Sequence, residues 1–307
     1  MRIAVDLLGG DNAPAVVVDG ALLASSVDPD LHLLLVGPAD VAEEALSAFA
    51  DPSRVHAAAA ADVVGMADAP VRAARDDTTV HTAVAALSAG RADAFVSAGS
   101  SGATVTAAVL DLGRWVRRPA LAATLPSLAG PVVLLDVGAS VEASATLLCQ
   151  NAVLGAAYAS VVHGIAAPRV GLLSIGTEPG KGDRPRRGAD ARLRDLRLPA
   201  GAGYVGPVEG YDVSLGGRAD VIATDGFTGN VLLKGIEGAY ALAGGQMPAD
   251  MAPRAAALLG VHGTVVVCHG AAEAPDLASG LALAAQLYRI DAVPRIGAAA
   301  GNLVEVP

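Results

Sequence analysis

The chain reads Asp220-Val-Ile-Ala-Thr-Asp-Gly-Phe-Thr-Gly-Asn-Val-Leu-Leu-Lys234 where a short apolar run ends in a glycine-rich polar loop that opens into a helical pattern. Backbone N–H groups at a helix N-terminus lack partners within the helix and carry partial positive charge. Gly226 and Gly229 keep the loop free of bulky side chains. Thr228 and Asn230 supply helix caps or ligand contacts. The stretch predicts a phosphate-binding turn, with an unliganded, capped strand-to-helix turn as the alternative.

A second copy of this pattern lies at Asp93-Ala-Phe-Val-Ser-Ala-Gly-Ser-Ser-Gly102, where an apolar run breaks at a turn and helix-period residues follow. The turn carries glycines at both ends and the hydroxyls of Ser100 and Ser101, and Thr104 follows one helical turn later. These hydroxyls either orient a phosphate or simply cap the helix.

Two further apolar runs end in polar loops. Gly138-Ala-Ser140 follows the run at residues 132–136, and Gly9-Gly-Asp-Asn12 follows the run at residues 1–6. In open parallel sheets, ligands bind beyond the carboxyl ends of the strands, where loops distant in sequence converge. The four loops therefore predict one shared crevice. Of the six histidines, His269 is the one expected to point at it, because it directly follows a predicted strand.

Apolar runs alternate with helical patterns along the chain. Residues 2–7 and 31–36 are predicted strands, and residues 15–25 and 41–50 are predicted helices. Further strands are predicted at residues 94–97, 132–136, 170–175, 204–207, 221–224 and 264–268. Since most connections run through helices, we expect an α/β fold with a largely parallel sheet.

The composition limits the classes of protein to which the chain can belong. The 307 residues are 53% hydrophobic but only 3% aromatic, so we expect a sizeable core of Ala, Val and Leu. A net charge of −10 disfavours nucleic-acid binding. The two cysteines, Cys149 and Cys268, have neither disulfide-framework nor zinc-site spacing. The first residues enter a strand at once, and no apolar run is long enough for a membrane span, which predicts a soluble cytoplasmic protein.

One basic cluster runs from Lys181 to Arg197 and holds arginines at positions 184, 186, 187, 192 and 194 among a few acids. It is interpreted as a solvated loop and helix face, with a recognition patch as the alternative.

Several motifs together resemble one known family from end to end: Ile3-Ala-Val-Asp6, Gly9-Gly-Asp-Asn-Ala-Pro14, Val96-Ser-Ala-Gly99 with Gly102-Ala103, Leu134-Leu-Asp-Val-Gly138, Gly180-Lys-Gly182, Val208-Glu-Gly210 and the run from Asp225 to Lys234. The chain closely resembles the bacterial phosphate acyltransferases of phospholipid synthesis, which move an acyl group from acyl carrier protein to inorganic phosphate.

The resemblance implies a three-layer α/β/α sandwich like that of isocitrate and isopropylmalate dehydrogenases, formed by a single domain over residues 1–307 and assembled as a homodimer. It also implies acyl transfer with no metal and no cofactor. Phosphate is an anionic nucleophile at neutral pH, so the enzyme needs only to position it and to stabilise the oxyanion that develops.

On that mechanism, Lys181 is the first candidate for a catalytic cation, because a lysine between two glycines can approach phosphate as a point charge. Asn230 is the second candidate, as a side-chain donor. A surface lysine and a helix cap are the respective alternatives. The side chains of Asp6, Asn12, Asp136 and Asp225 are expected to order the loops. The remaining candidates for binding phosphate or substrate are Gly10, Asn12, Gly99, Ser100, Ser101, Gly102, Thr104, Ser140, Gly180, Gly182, Thr228, Gly229 and His269.

The chain departs from the family at two polar loops and in one helical segment. Ser100-Ser101 stands where the family usually has Asn-Thr, and Ser140 where it has Asn, so hydroxyls replace amide donors. The helical excursion is shortened to residues 235–260 and has one arginine, Arg254, whereas membrane binding needs a basic amphipathic helix. Membrane association is therefore not expected from this segment.

Three functions remain open at this point. The first is an acyltransferase that uses an acyl carrier protein or acyl-CoA thioester and phosphate, which the shortened segment makes compatible with a specialised pathway. The second is a short-chain phosphotransacetylase or a thioester hydrolase on the same fold. The third is a non-catalytic protein that binds acyl groups or phosphate.

Overall fold

The computed structural model describes residues 1–65, 67–74, 77–242 and 255–301. Its strands are β1 (Arg2–Asp6), β2 (His32–Gly37), β3 (Val55–Ala59), β4 (Ala94–Ser97), β5 (Ala120–Leu125), β6 (Val132–Leu135), β7 (Arg169–Leu173), β8 (Gly203–Val208), β9 (Val221–Ala223), β10 (Ala255–Leu259) and β11 (Thr264–Cys268). Its α-helices are α1 (Ala15–Val27), α2 (Ala39–Ser47), α3 (Thr79–Ser88), α4 (Ser101–Asp111), α5 (Ala145–His163), α6 (Arg184–Leu193), α7 (Gly210–Leu215), α8 (Gly226–Leu242), α9 (Ala274–Arg289) and α10 (Ala292–Ala300). Short 3-10 helices lie at Pro52–Arg54, Pro70–Ala74 and Pro199–Gly201.

The chain forms two compact units. Unit 1 comprises residues 1–114 and 254–290, and unit 2 comprises residues 115–253 and 291–307. The single domain expected over residues 1–307 stays a prediction.

Unit 1 is built on strands in the order β3-β2-β1-β4-β11-β10. The pairs β1–β2, β2–β3, β1–β4 and β4–β11 are parallel, and β10–β11 is antiparallel. Helices α1 and α9 pack on each other, as do α3 and α4, and both pairs lie against the strands. The loops that follow β1, β4 and β11 emerge at the carboxyl edge of these parallel strands.

Unit 2 is built on strands in the order β5-β6-β9-β7-β8. Only β5–β6 is antiparallel among the paired strands of this unit. Helix α5 packs against β6, β7 and β9. It is long and apolar enough to cross a membrane by composition, but it is mostly buried within unit 2, as expected of a core helix.

The predicted α/β fold with a mostly parallel sheet and helices on both sides is confirmed. The predicted strands and helices are present, with boundaries that differ by at most three residues. Strands β3, β5 and β10 were not predicted. Each of them is rich in alanine, which has low β-propensity, so their strand character comes from pairing with neighbours.

The core consists mainly of Ala, Val and Leu, as predicted, and the bulkiest fully buried side chains are those of Tyr158 and Phe95. Of the segment at residues 235–260, the first part lies in α8 and the last part in β10. Residues 243–254, including Arg254, lie outside the described residues.

Candidate functional site

The first polar cluster lies in unit 1 and joins two loops, residues 6–12 and 97–104, here called the Asp6 loop pair. Asp6 accepts hydrogen bonds from the Leu8 amide at 3.2 Å and from the Ser97 hydroxyl at 2.8 Å. The Ser97 oxygen in turn accepts from the Gly99 amide at 2.9 Å. Burial raises the pKa of Asp6, although these hydrogen bonds act to lower it. A buried carboxylate thus orders both loops.

Gly9 shows why the Asp6 loop pair requires glycine. A Cβ atom at this position would lie 2.7 Å from Asp6 Oδ2 and 2.8 Å from the Gly99 nitrogen. The two loops therefore pass too close for any side chain. Gly10 has a φ of +110°, a conformation that glycine adopts without steric cost.

The loop after β11 joins the same cluster. The Asp11 amide donates to the Gly270 carbonyl at 2.8 Å. His269, beside it, is exposed, and its Nδ1 accepts from the Ala271 amide at 2.9 Å. The structure thus brings His269 to the loop that carries Gly10 and Asn12, as its position after a strand predicts.

Helix α4 begins at the second loop of the Asp6 pair. The Ser100 hydroxyl caps it by accepting from the Ala103 amide at 3.4 Å. The amides of Ser101 and Gly102 have no protein acceptor among the described residues, so the donors that an anion needs are open there. Thr104 is fully buried within unit 1, which favours a packing role.

The second polar cluster lies in unit 2 and joins residues 136–140 to residues 225–230, here called the Asp136 loop pair. Asp136 accepts from the amides of Gly138 at 3.0 Å and Ala139 at 2.9 Å, and from the Ser140 hydroxyl at 2.8 Å. The Ser140 oxygen accepts from the Gly226 amide at 3.2 Å. Burial raises the pKa of Asp136. The carboxylate orders its own loop directly and the second loop through a serine.

The glycines of this pair serve close backbone packing. A Cβ at Gly226 would lie 2.2 Å from the Ser140 carbonyl oxygen, and one at Gly229 would lie 1.9 Å from that of Asp136. Neither position accepts a side chain. The contact between the two loops is thus one reason for glycine at both positions, and the prediction that the turn binds phosphate stays a prediction.

The helix begins earlier than the sequence suggested. Helix α8 starts at Gly226, and its cap is Asp225, whose Oδ1 accepts from the Thr228 amide at 2.8 Å. Thr228 and Asn230 lie inside the helix, so of the two roles considered for them, helix cap or ligand contact, the cap is wrong. Asn230 is exposed and donates through Nδ2 to the Val137 carbonyl at 3.1 Å, which leaves its second amide hydrogen available.

Arg186 is a member of this polar cluster that the sequence interpretation did not single out. Its guanidinium donates to Asp225 at 2.5 Å, to the Thr228 hydroxyl at 3.2 Å and to the Leu173 carbonyl at 2.9 Å. Its side chain is 12% exposed. Burial alone would raise the pKa of Asp225, but hydrogen bonds from Thr228 and Arg186 lower it below its ordinary value.

A signal for this role was present in the sequence. Arg186 shares a helical face with Ala189 and Leu193, which are both buried. The spacing of three and seven residues places its side chain on the packed side of α6. The basic cluster is therefore not uniformly solvated.

Lys181 lies on the loop between β7 and α6. Its glycine neighbours both have left-handed backbones, with φ of +85° at Gly180 and +89° at Gly182. Lys181 is exposed and forms no ion pair among the described residues. A Cβ at Gly182 would lie 3.1 Å from the Arg186 Cβ, so the loop runs directly over the arginine that holds Asp225.

The two cysteines are poor nucleophile candidates. Both are buried, and burial raises the pKa of Cys149 to about 11 and that of Cys268 to about 12. A thiol with such a pKa is protonated at neutral pH.

A largely apolar cavity of about 710 Å³ lies in unit 1. Its lining residues come from the C-terminal half of α1, from α9 and from the residues that follow each helix, and they include Leu23, Val27, Leu281 and Ile290. The loops of the Asp6 pair precede the N-termini of α1 and α4 and do not line it. The cavity is therefore separate from the polar cluster of that unit.

The four predicted loops thus meet as two pairs, one in each unit. The ordering role expected of Asp6, Asp136 and Asp225 is visible in their hydrogen bonds, whereas the single crevice shared by all four loops stays a prediction. Binding of substrate by any of these residues also stays a prediction.

Comparison with known proteins shows which class of protein has a similar sequence. Residues 1–257 match a family model described as "Fatty acid synthesis protein". A phosphate acyltransferase from Syntrophomonas wolfei is 38% identical, over 94% of this chain and 95% of its own length. One from Heliobacterium modesticaldum is 41% identical, over 93% of each chain.

Solved structures share the fold at low sequence identity. A branched-chain phosphotransacylase from Enterococcus faecalis is similar with a TM-score of 0.66 at 14% identity, over 94% of this chain and 99% of its own. A phosphotransacetylase from Streptococcus pyogenes has a TM-score of 0.64 at 18% identity, over 94% of each chain.

Fold and sequence together define the class, an acyltransferase enzyme with an α/β fold. The chain belongs to the phosphate acyltransferase family. These relatives support acyl transfer to phosphate as its activity and place it in fatty acid and phospholipid synthesis.

Proposed function

We propose that this enzyme transfers an acyl group from an acyl thioester, carried by acyl carrier protein or by coenzyme A, to inorganic phosphate. The observation that carries the proposal is Lys181, an exposed cation without an ion-pair partner among the described residues, on a loop that runs over Arg186. A free ammonium beside an ordered polar loop is suited to attract phosphate.

The reaction needs one bond formed and one broken. A phosphate oxygen attacks the thioester carbonyl carbon, the tetrahedral oxyanion collapses, and the carbon–sulfur bond breaks. The products are an acyl phosphate and a thiolate, which takes a proton from solvent. Fixed donors that face the developing negative charge lower the barrier because they need no reorganisation.

In this proposal Lys181 neutralises charge on the phosphate, and the free amide hydrogen of Asn230 donates to phosphate or to the oxyanion. Arg186 acts as a positioning residue because its hydrogen bonds are directed at Asp225, Thr228 and Leu173. In unit 1, the open amides of Ser101 and Gly102 are the donors that α4 offers to an anion.

We also propose that the enzyme works in the cytoplasm as a homodimer, and that residues 1–307 act as one domain. The hydroxyls at Ser100 and Ser140 replace the amides of the family pattern, which is compatible with a specialised acyl donor.

The test is thiol release from a panel of acyl carrier protein and acyl-CoA thioesters of different chain lengths, with and without phosphate. Hydroxylamine traps an acyl phosphate as a hydroxamate. Phosphate-dependent hydroxamate is the expected result, and the best donor identifies carrier and chain length. Thiol release that is independent of phosphate would point to hydrolysis, and no release from any donor would point to a binding protein.

A further inference from the structure

Helices α1 and α9 of unit 1 are held together at both ends of the cavity between them, here called the α1–α9 cavity. At one end, a Cβ at Gly20 would lie 2.7 Å from the Leu277 Cβ, so the two helices are in close contact. At the other end, Arg289 donates to Asp28 at 2.7 Å. Between these contacts, the part of the lining that α9 supplies includes three alanines of one helical face, Ala278, Ala282 and Ala285. Because these side chains are small, the space between the helices stays open.

The α1–α9 cavity has a buried apolar floor and an exposed apolar edge. Leu31 and Leu281 line it and are buried. Leu23 and Val27 of α1 also line it but are exposed, Val27 to 84%. Apolar side chains that face water beside a recessed apolar space gain free energy when an apolar ligand covers them. The volume of about 710 Å³ lies within the usual range of small-molecule sites.

The dimensions of the cavity favour a single extended chain. From Ala278 to Arg289, the lining of α9 extends about 17 Å along the helix axis. Over that length, 710 Å³ corresponds to a mean cross-section of about 40 Å², about half that of an α-helix with its side chains. The hydrocarbon core of a bilayer is about 30 Å thick, so one fatty acyl chain reaches about 15 Å. The cavity is therefore too narrow for a helix of a partner protein, whereas its length suits a linear hydrocarbon chain.

Polar side chains lie at one end of the cavity. Asp28, Gln286 and Arg289 line it beside the last turn of α9. Arg289 is exposed, and Asp28 is its one hydrogen-bond acceptor among the described residues. A guanidinium carries five N–H donors in a planar fork, so Arg289 can donate to a further carboxylate. This end of the cavity complements an anionic head group, and the rest complements an apolar chain.

We propose that the α1–α9 cavity binds a long-chain fatty acid, with the chain between the helices and the carboxylate on Arg289. This is a second ligand site, because the loops of the two polar clusters do not line the cavity. The inference does not depend on the proposed function, since binding is measured without turnover. Asp28 competes with the ligand carboxylate for the Arg289 guanidinium, so removal of the Asp28 charge should strengthen binding.

The test measures binding of cis-parinaric acid, a fatty acid that becomes fluorescent in apolar surroundings, and its displacement by myristate and by myristyl alcohol. Ala282→Trp fills the cavity from an exposed position of α9 and should weaken binding of all three by about tenfold or more. Ala191→Trp, at an exposed position of α6 outside the cavity, is the matched control and should bind them as the wild type does.

Two further variants test the carboxylate contact and leave the cavity open. Arg289→Met should weaken myristate about tenfold, the scale of one hydrogen bond to a charged group, and leave the alcohol within about twofold of wild type. Asp28→Asn, which keeps an oxygen acceptor for the Asp30 amide, should instead strengthen myristate binding and leave the alcohol unchanged. These opposite signs distinguish a carboxylate site from general apolar binding.

Three results would overturn the assignment: no binding of the probe by the wild type, equal affinities of the Ala282→Trp and Ala191→Trp variants, or equal losses of acid and alcohol in Arg289→Met. Urea denaturation shows whether each variant folds, and if Ala282→Trp does not, Arg289→Met and Asp28→Asn decide. No probe binding, together with a change of oligomeric state in Ala282→Trp by sedimentation velocity, would assign the cavity to a contact between copies. Absence of acyl transfer from every donor would reject the proposed function and leave the fatty acid site intact.

Discussion

The Asp6 loop pair of unit 1 and the Asp136 loop pair of unit 2 share one construction. In each, a buried aspartate at the end of a strand accepts a hydrogen bond from a serine hydroxyl, and that serine oxygen accepts one from a glycine amide. The serine and glycine are Ser97 and Gly99 in unit 1, and Ser140 and Gly226 in unit 2. In each, a glycine stands where backbone contact excludes a Cβ. These hydrogen bonds fix the two loops of each pair in place without a charged group at the surface.

The difference between the pairs lies in what is added to this construction. Unit 2 adds the ion pair of Asp225 and Arg186 and the free ammonium of Lys181. The Asp6 pair presents hydroxyls and open helix amides, and no described Lys or Arg pairs with its aspartate. The comparison indicates that the hydrogen-bonded aspartate and serine are common to both loop pairs, whereas among the described residues the paired arginine and the unpaired lysine belong to the loop pair of unit 2.

The largest expected effect concerns the glycine contact. Gly226→Ala should lower the free energy of unfolding by about 3 kcal/mol or more, because its Cβ would overlap the Ser140 carbonyl oxygen. Gly9→Ala, with contacts of 2.7 Å or longer, should cost less. Gly235→Ala in the same helix, with no atom within 4 Å, is the control and should be neutral or stabilising. Urea denaturation measures all three, and equal values for Gly226→Ala and Gly235→Ala would contradict the packing account.

The next effect concerns charge. Lys181→Ala should reduce kcat/KM for phosphate-dependent hydroxamate formation by about 100-fold, the scale of losing one transition-state donor. Lys234→Ala, which removes a lysine paired with Glu237 at 3.0 Å, is the matched control and should retain activity. A wild-type rate of acyl transfer by the Lys181→Ala variant would show that the Lys181 ammonium takes no part in the mechanism.

The third prediction concerns how the contributions of Asp225 and Asp6 to stability depend on pH. The pKa of Asp225 is lowered in the folded protein, so its stabilisation is present above its ordinary value of 3.8 and is lost as the pH falls through the folded pKa. Asp225→Asn should therefore lower the free energy of unfolding by about 2 kcal/mol at pH 7, and the loss should shrink in acid.

Asp6 should show the opposite sign. Its raised pKa makes the folded state hold its proton longer, so the contribution of Asp6 to wild-type stability falls as the pH rises from 3.8 through the folded pKa. Asp6→Asn removes this titration, so the stability of the variant relative to wild type should improve as the pH rises. Urea denaturation across that range checks both variants, and parallel curves for the two would contradict the contrast.

The smallest effect concerns α4. Ser100→Ala removes a cap with a long 3.4 Å hydrogen bond and should cost about 0.5–1 kcal/mol. Ser101→Ala removes no such bond and should leave stability unchanged within error. A thermal or urea transition distinguishes them. A cost for Ser101→Ala equal to that of Ser100→Ala would show that the cap is assigned wrongly.

Much of the fold followed from local pattern. The strands at β1, β4 and β11 and the helix α1 were visible as apolar runs and helical periodicity, whereas β3, β5 and β10 were not, since alanine gives no strong local signal. In the candidate site, the aspartates after β1 and β6 were visible as polar residues that end apolar runs. Arg186 was hidden within a basic cluster because its burial depends on what lies beneath α6.

The sequence by itself determined the α/β alternation, the polar loops after the strands and the family, because these depend on the order of residue types along the chain. Only the tertiary structure decided that Gly226 and Gly229 are packed against a neighbouring loop, and that Arg186 is buried while Arg184 and Arg187 are exposed. The physical reason is that close contact, burial and the net effect on a pKa depend on which atoms meet across distant segments.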